Sequence, residues 1–208
     1  MKRQIISTLA IICVVYAMQS CVSFTPCTTL EGFIGPSLNN ISGESTSWMY
    51  TFGGQAGVEA NVPFKNSKLP LTAWAGLNLS AQGAAWEYDF AGETYSGRTR
   101  LWYLYVPLTG RYNLENGFYF EAGLQPGFLL SAKDKEDGDS FDYRDYIKTF
   151  DLGIPLGIGY KFANNFGVSF RFTPGVTNVN KGENDAYKDH NMNFSLRLTY
   201  TIPGKERE

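Results

Sequence analysis

A chain of 208 residues with 18 Lys and Arg, 20 Asp and Glu and a net charge of −2 fits one domain of ordinary size. No basic cluster suggests nucleic acid. Aromatic residues at 15%, 22 glycines and only 18% charged residues argue against a helical or disordered chain and for an all-β one with many tight turns.

Residues 1–20 read as a cleavable signal peptide. Lys2 and Arg3 precede an apolar run from Ile5 to Met18, too short for a spanning helix. Residues 21–29 then form a periplasmic lead-in, 30–202 a barrel, and 203–208 a polar tail. Met18-Gln19-Ser20-Cys21 also admits a lipoprotein reading with Cys21 lipidated, and Cys21 and Cys27 are close enough in sequence to pair in an oxidising compartment. No later apolar run reaches the roughly 18 residues of a spanning helix, so a membrane role falls to strands.

Eight segments alternate in polarity, as strands with two unlike faces require. The first, Leu30 to Asn39, is blurred by Gly32, Gly35 and Pro36. The second, Thr51 to Phe64, sets Phe52, Ala56, Val58 and Ala60 against Gln55, Gly57, Glu59 and Asn61. The third and fourth run from Leu69 to Gly83 and Thr99 to Leu114. The fifth, Gly117 to Ala132, sets Phe118, Phe120, Leu124 and Phe128 against Tyr119, Glu121, Gly123 and Gln125. The sixth is Phe150 to Phe162, and the seventh Phe166 to Thr177. The eighth, Asn191 to Ile202, is the cleanest, with Met192 through Ile202 opposed by Asn191, Asn193, Ser195, Arg197, Thr199 and Thr201. About 9–11 tilted residues cross a bilayer, so each is long enough.

The connections alternate in length. Lys65-Asn66-Ser67-Lys68, Glu115-Asn116 and Ala163-Asn164-Asn165 are short; residues 40–50, 84–98, 133–149 and 178–190 are long and polar. Short turns at one end and long loops at the other predict an eight-stranded antiparallel transmembrane up-and-down β-barrel. Lipid would face the oily side, because the polar side carries too few charges for a solvated exterior. Arg100 is the one charge on the oily side, beside the second long loop. Phe64, Tyr112, Phe118, Tyr160, Phe162, Phe166 and Tyr200 are expected to form an aromatic girdle at the short-turn interface. Pro107 and Pro155 fall within strands, where bulges are expected, with the freed carbonyls meeting lumenal groups. Glycines on the inner faces of the fifth and sixth strands would ease curvature.

Glu59, Glu121, Arg171 and Arg197 point inward at similar height, with Arg111, Asp151 and Lys161 as further lumenal charges. Eight strands leave an interior that side chains fill, and buried charges must be paired, so a structural plug is favoured over an ion path. Trp86, Tyr88, Tyr95, Phe141, Tyr143 and Tyr146 are expected in long loops, as a contact surface or as packing of the loop caps. The acidic stretch Lys133 to Asp145 offers carboxylates suited to calcium, but its glycine falls one place early and a solvated loop is preferred. The sole histidine, His190, stands beside Asp189 with Ser195 pointing the other way, which does not assemble a nucleophile and base. No Cys/His metal spacing occurs. The expectation is a non-enzymatic protein without metal or cofactor.

Gly117-Phe-Tyr-Phe-Glu-Ala-Gly-Leu-Gln-Pro-Gly-Phe-Leu-Leu-Ser-Ala-Lys133, then Phe150-Asp-Leu-Gly-Ile-Pro-Leu-Gly-Ile-Gly-Tyr-Lys161, with Val106-Pro107-Leu108 and Arg171, resemble the PorT-like outer-membrane β-barrel family over roughly residues 30–202. The last strand departs from the usual barrel signal, lacking a glycine and ending on Ile202. The resemblance implies an eight-stranded barrel in a Gram-negative outer membrane, and some members of that family belong to a protein-secretion machinery. The expected role is therefore an accessory in envelope assembly or secretion, lying in outer-membrane lipid as a monomer. A surface adhesion or recognition protein acting through its loops is the alternative, with a small pore behind both.

Overall fold

The computed structural model of the chain describes residues 29–43, 48–62, 70–136, 139–181 and 188–202. The signal-peptide reading, Cys21, Cys27, Phe64, the turn at Lys65 to Lys68 and the polar tail lie outside them. Twelve strands follow in order: β1 (Leu30–Gly43), β2 (Trp48–Met49), β3 (Thr51–Val62), β4 (Leu71–Phe90), β5 (Glu93–Tyr105) and β6 (Leu108–Asn113). Then come β7 (Phe118–Glu136), β8 (Asp139–Asp142), β9 (Phe150–Gly153), β10 (Leu156–Lys161), β11 (Phe166–Pro174) and β12 (Asp189–Ile202), with a 3₁₀ turn at Arg144–Tyr146. No described helix is long and apolar enough to cross a membrane.

The pairings run round a ring. β1 pairs β3, β3 pairs β4, β4 pairs both β5 and β6, and both of these pair β7. β9 and β10 take the far side of β7, β10 pairs β11, β11 pairs β12, and β12 returns to β1. Every pair is antiparallel, as hairpin links dictate. The strand count is twelve rather than eight for two reasons. Prolines split two segments, at Val106-Pro107 and Ile154-Pro155, and short β2 and β8 form within the expected loops.

The expected bulges at these prolines are absent. Register passes unshifted from Tyr105↔Gly127 to Leu108↔Leu124, and from Gly153↔Gln125 to Leu156↔Ala122. Pro107 and Pro155 still accept from the Gly76 and Gly123 amides, at 3.1 Å each. A proline lacks only the donor, and that loss alone interrupts the strand. The slip falls instead between Trp102 and Tyr103, opposite Leu129 and Ser131, which leaves Leu130 as the extra residue.

The expected loop at 84–98 is also a correction. β4 and β5 continue through it in register up to Phe90↔Glu93, closed by Ala91 (φ +54°) and Gly92 (φ +88°). Two consecutive positive φ values match the tight turn whose twist suits a hairpin. The alternation of Trp86 and Tyr88 with Glu87 and Asp89 was the strand signal inside a polar stretch.

The polarity of the ring is inverted relative to a water-soluble domain. Ile34, Phe52, Leu77, Phe120, Leu124 and Leu196 are exposed outside, Phe52 by 81%, while Glu59, Arg111, Glu121, Arg171 and Arg197 are buried inside. Glycines on the inner faces make room for large lumenal neighbours, as well as easing curvature. A Cβ on Gly157 would stand 2.6 Å from Glu121 Oε1, and one on Gly159 would collide with the Tyr119 ring.

Candidate functional site: two lumenal layers and a mouth

The lower layer lies near the short turns. Arg111 on β6 reaches three carboxylates: Nη1 lies 2.8 Å from Glu31 Oε1, Nε 3.1 Å from Glu121 Oε2, and Nη2 bonds Glu59. Arg171 on β11 holds Glu121 at 2.6 Å and Glu59 at 3.1 Å. Arg197 on β12 lies 3.2 Å from Glu59 and 3.8 Å from Glu121. Three acids therefore meet three guanidinium groups, all buried. Aromatic faces complete the packing. Arg111 Cζ stands 4.1 Å from the Trp74 ring centre, and Arg197 Cζ 3.7 Å from that of Phe33, both inside cation–π range.

Glu59, Glu121, Arg171 and Arg197 thus come together, with Arg111 among them. Lys161 sits at the edge, 33% exposed and 4.0 Å from Glu31. Glu31 was missed. It lies in the segment blurred by Gly32 and Gly35, yet Phe33, Ser37, Asn39 and Ile41 share its inward parity. Asp151 is a correction, because it does not join the cluster. It pairs with Gly127 whereas Glu121 pairs with Gly157, six residues apart on β7 and so about 20 Å along the strand.

Asp151 anchors the upper layer instead. It accepts from Tyr105 Oη and Thr177 Oγ1 at 2.7 Å each and from Asn191 Nδ2 at 2.9 Å. Around it are neutral groups: Asn193 Nδ2 donates to Asn39 Oδ1 (2.6 Å) and Asn78 Nδ2 to Gln55 Oε1 (3.0 Å).

Above this layer the mouth is closed by an apolar cluster including Ile41, Leu101, Leu129, Ile147 and Val179. Ile147 bridges Asn180, the Lys148 amide donates to Val179 O and that of Lys181 to Tyr146 O. Arg144 Nη2 ties this cap to Leu129 O at 3.2 Å. Trp86 and Tyr88 belong to β4 and stack at 5.6 Å; Tyr95 of β5 stacks on Tyr88 at 5.4 Å. Phe141 lies exposed on β8, and Tyr143 stacks on Tyr146 at 5.0 Å. Trp86 Nε1 donates to Asp134 Oδ1 at 3.1 Å. Burial, with Asp134 and Asp189 nearby, raises the Tyr143 phenol above its usual range and keeps it neutral. A cleft of about 490 Å³ opens here, walled by Trp48, Trp86, Tyr143 and Tyr146, with Asp134 and Asp189 at its sides.

At the other end Phe118 meets Tyr160 at 4.8 Å, Tyr160 meets Phe162 at 5.0 Å, and Phe166 meets Tyr200 at 4.9 Å. Tyr112, Phe118, Phe162, Phe166 and Tyr200 are exposed outward and Tyr160 partly so. His190 Nδ1 lies 2.9 Å from Thr177 O, while Ser195 Oγ donates to Arg171 O inside the ring, so the two do not meet. Among the described residues no three His, Cys, Asp or Glu side chains are arranged to hold a metal ion.

Residues 29–181 match the family described as outer membrane protein beta-barrel domain. By sequence, no curated protein matches the chain. By structure it is similar to Neisserial surface protein A, with a TM-score of 0.53 and 10% identity over 82% of this chain and 96% of that one. It is also similar to Ail, the attachment invasion locus protein of Yersinia pestis, with a TM-score of 0.47 and 12% identity over 86% of this chain and 100% of that one. An apolar exterior, a charged interior and the family match over residues 29–181 agree: the chain belongs to the outer membrane protein beta-barrel domain family and is an all-β protein of the bacterial outer membrane.

Proposed function

We propose that the chain is a non-enzymatic, non-conducting barrel of eight staves, counting β5 with β6 and β9 with β10, that acts through its loop end as a surface recognition protein. The observation that carries this reading is the double closure of the lumen. The buried ion cluster fills it near the short turns, and the cap on Leu101, Leu129 and Val179 fills it at the mouth. Nothing soluble passes such a plug, which leaves the rims to do the work. The mouth offers a cleft with aromatic walls and exposed rings at Tyr88, Phe141 and Tyr146, and aromatic residues anchor protein contacts well. The outward rings from Tyr112 to Tyr200 act as the girdle on the periplasmic side.

The PorT-type resemblance supports a second role, as an accessory in envelope assembly or secretion that uses the same contacts. Three experiments separate the readings. In planar bilayers the protein should give no steady single-channel current, and such current would overturn the plug. Replacing residues 87–96 by a two-residue turn should abolish attachment to the partner while the barrel still inserts. Loss of secretion of other proteins on deletion, with attachment unchanged by the trimming, would transfer the role to the secretion machinery.

A further inference from the structure

The outer face of β5 and β7 carries four cations in a block. Arg98 lies across from Lys135 and Arg100 across from Lys133, and all four are exposed. Like charges directly opposite on one sheet face repel. Among the described residues no ion pair or side-chain hydrogen bond of these four is present, and on β4 the residues across from Arg98 and Arg100 are Ala85 and Gly83. Asp142 stands across from Lys133, leaving three cations with no acidic cross-strand neighbour. A repulsive arrangement of this kind is relieved by an outside anion.

Its height identifies the anion. On the same outward face Trp102 follows Arg100 by two positions, and Tyr112 lies ten residues further, at the short-turn rim. Ten residues at about 3.3 Å, tilted by about 45°, span roughly 23 Å of the bilayer normal, close to the apolar band of an outer-membrane barrel at about 25 Å. Trp102 therefore marks the far interface, and the four cations rise directly above it at headgroup level on the loop side. There three of them, Arg98, Arg100 and Lys135, border a shallow concavity of about 390 Å³ lined also by Met49, Ala85 and Trp86. An apolar floor beneath a cationic rim suits an amphiphile with an anionic head.

We propose that this block binds the phosphate of a phosphorylated lipid in the outer leaflet, with Arg98, Arg100, Lys133 and Lys135 on the phosphate and Trp102 and Met49 against its apolar part. Arginine forks and lysine ammonium groups both suit phosphate. The probes are diphosphoryl lipid A, its dephosphorylated form and inorganic phosphate. The full chain is placed in phosphatidylcholine nanodiscs doped with either lipid, and lipid retained on extraction is counted by mass spectrometry. Diphosphoryl lipid A should be enriched and its dephosphorylated form not. The variant R98Q/R100Q/K133Q/K135Q should lose the enrichment by about tenfold or more, since each surface cation near anionic lipid adds to the attraction, while K148Q/K181Q should keep it. Should the fourfold variant fail to insert, salt decides on the unmodified protein, because screening must lower the enrichment between low and high NaCl. Equal retention of both lipids, or enrichment indifferent to salt, overturns the proposal. So does release of the lipid by millimolar inorganic phosphate, which would mark a general anion site.

Discussion

The two lumenal layers meet the same requirement by different means. Near the short turns, three carboxylates and three guanidinium groups contributed by β1, β3, β6, β7, β11 and β12 lie in mutual reach. Nearer the mouth, Asp151 is answered by three neutral donors, Tyr105, Thr177 and Asn191. A layer built of full charges must be complete, because one missing partner strands another in a dry interior. A layer built of dipoles loses one hydrogen bond at a time.

That difference can be broken by substitution, and urea unfolding in lipid vesicles measures each case. Arg111→Met is expected to cost most, about 3–5 kcal/mol, because it leaves Glu59 and Glu121 to Arg171 and Arg197 and strips Glu31 of its guanidinium, with only Lys161 at 4.0 Å. Leu101→Ala in the mouth should cost about 2–4 kcal/mol through the cavity it opens, and should loosen the cap without touching the ion layer. Asp151→Asn, whose one amide oxygen keeps Tyr105 and Asn191 as donors and gives up Thr177, should cost only about 1 kcal/mol. A loss from Asp151→Asn equal to that from Arg111→Met would erase the distinction between the layers.

Much of this was legible in the chain because the strand period is two and the barrel has only two faces. Glu59, Glu121, Arg171 and Arg197 share the parity of their polar neighbours, so inward aim followed directly. Height along the lumen was harder, since it depends on how neighbouring strands are staggered; the parity of Asp151 gives its inward face and not its level. Glu31 escaped because Gly32, Gly35 and Pro36 hide the alternation around it. The β4–β5 hairpin was read as a loop because a strand rising clear of the bilayer needs no greasy face, and its charged residues look like solvated coil. Pairing partners such as Arg98 and Lys135 cannot be read from one strand alone.

The ion layer also governs how the molecule can be built. Its six charges are dispersed from Glu31 to Arg197, nearly the full length of the described chain, and only Arg111 and Glu121 lie on consecutive strands that pair through a tight turn. A partly assembled sheet would therefore carry bare carboxylates and guanidinium groups toward the hydrocarbon, where they are not tolerated. Closing the ring, with β1 against β12, brings the dispersed charges within reach of one another. Insertion and closure become a single event, and the finished protein has no cheap route back to an open form.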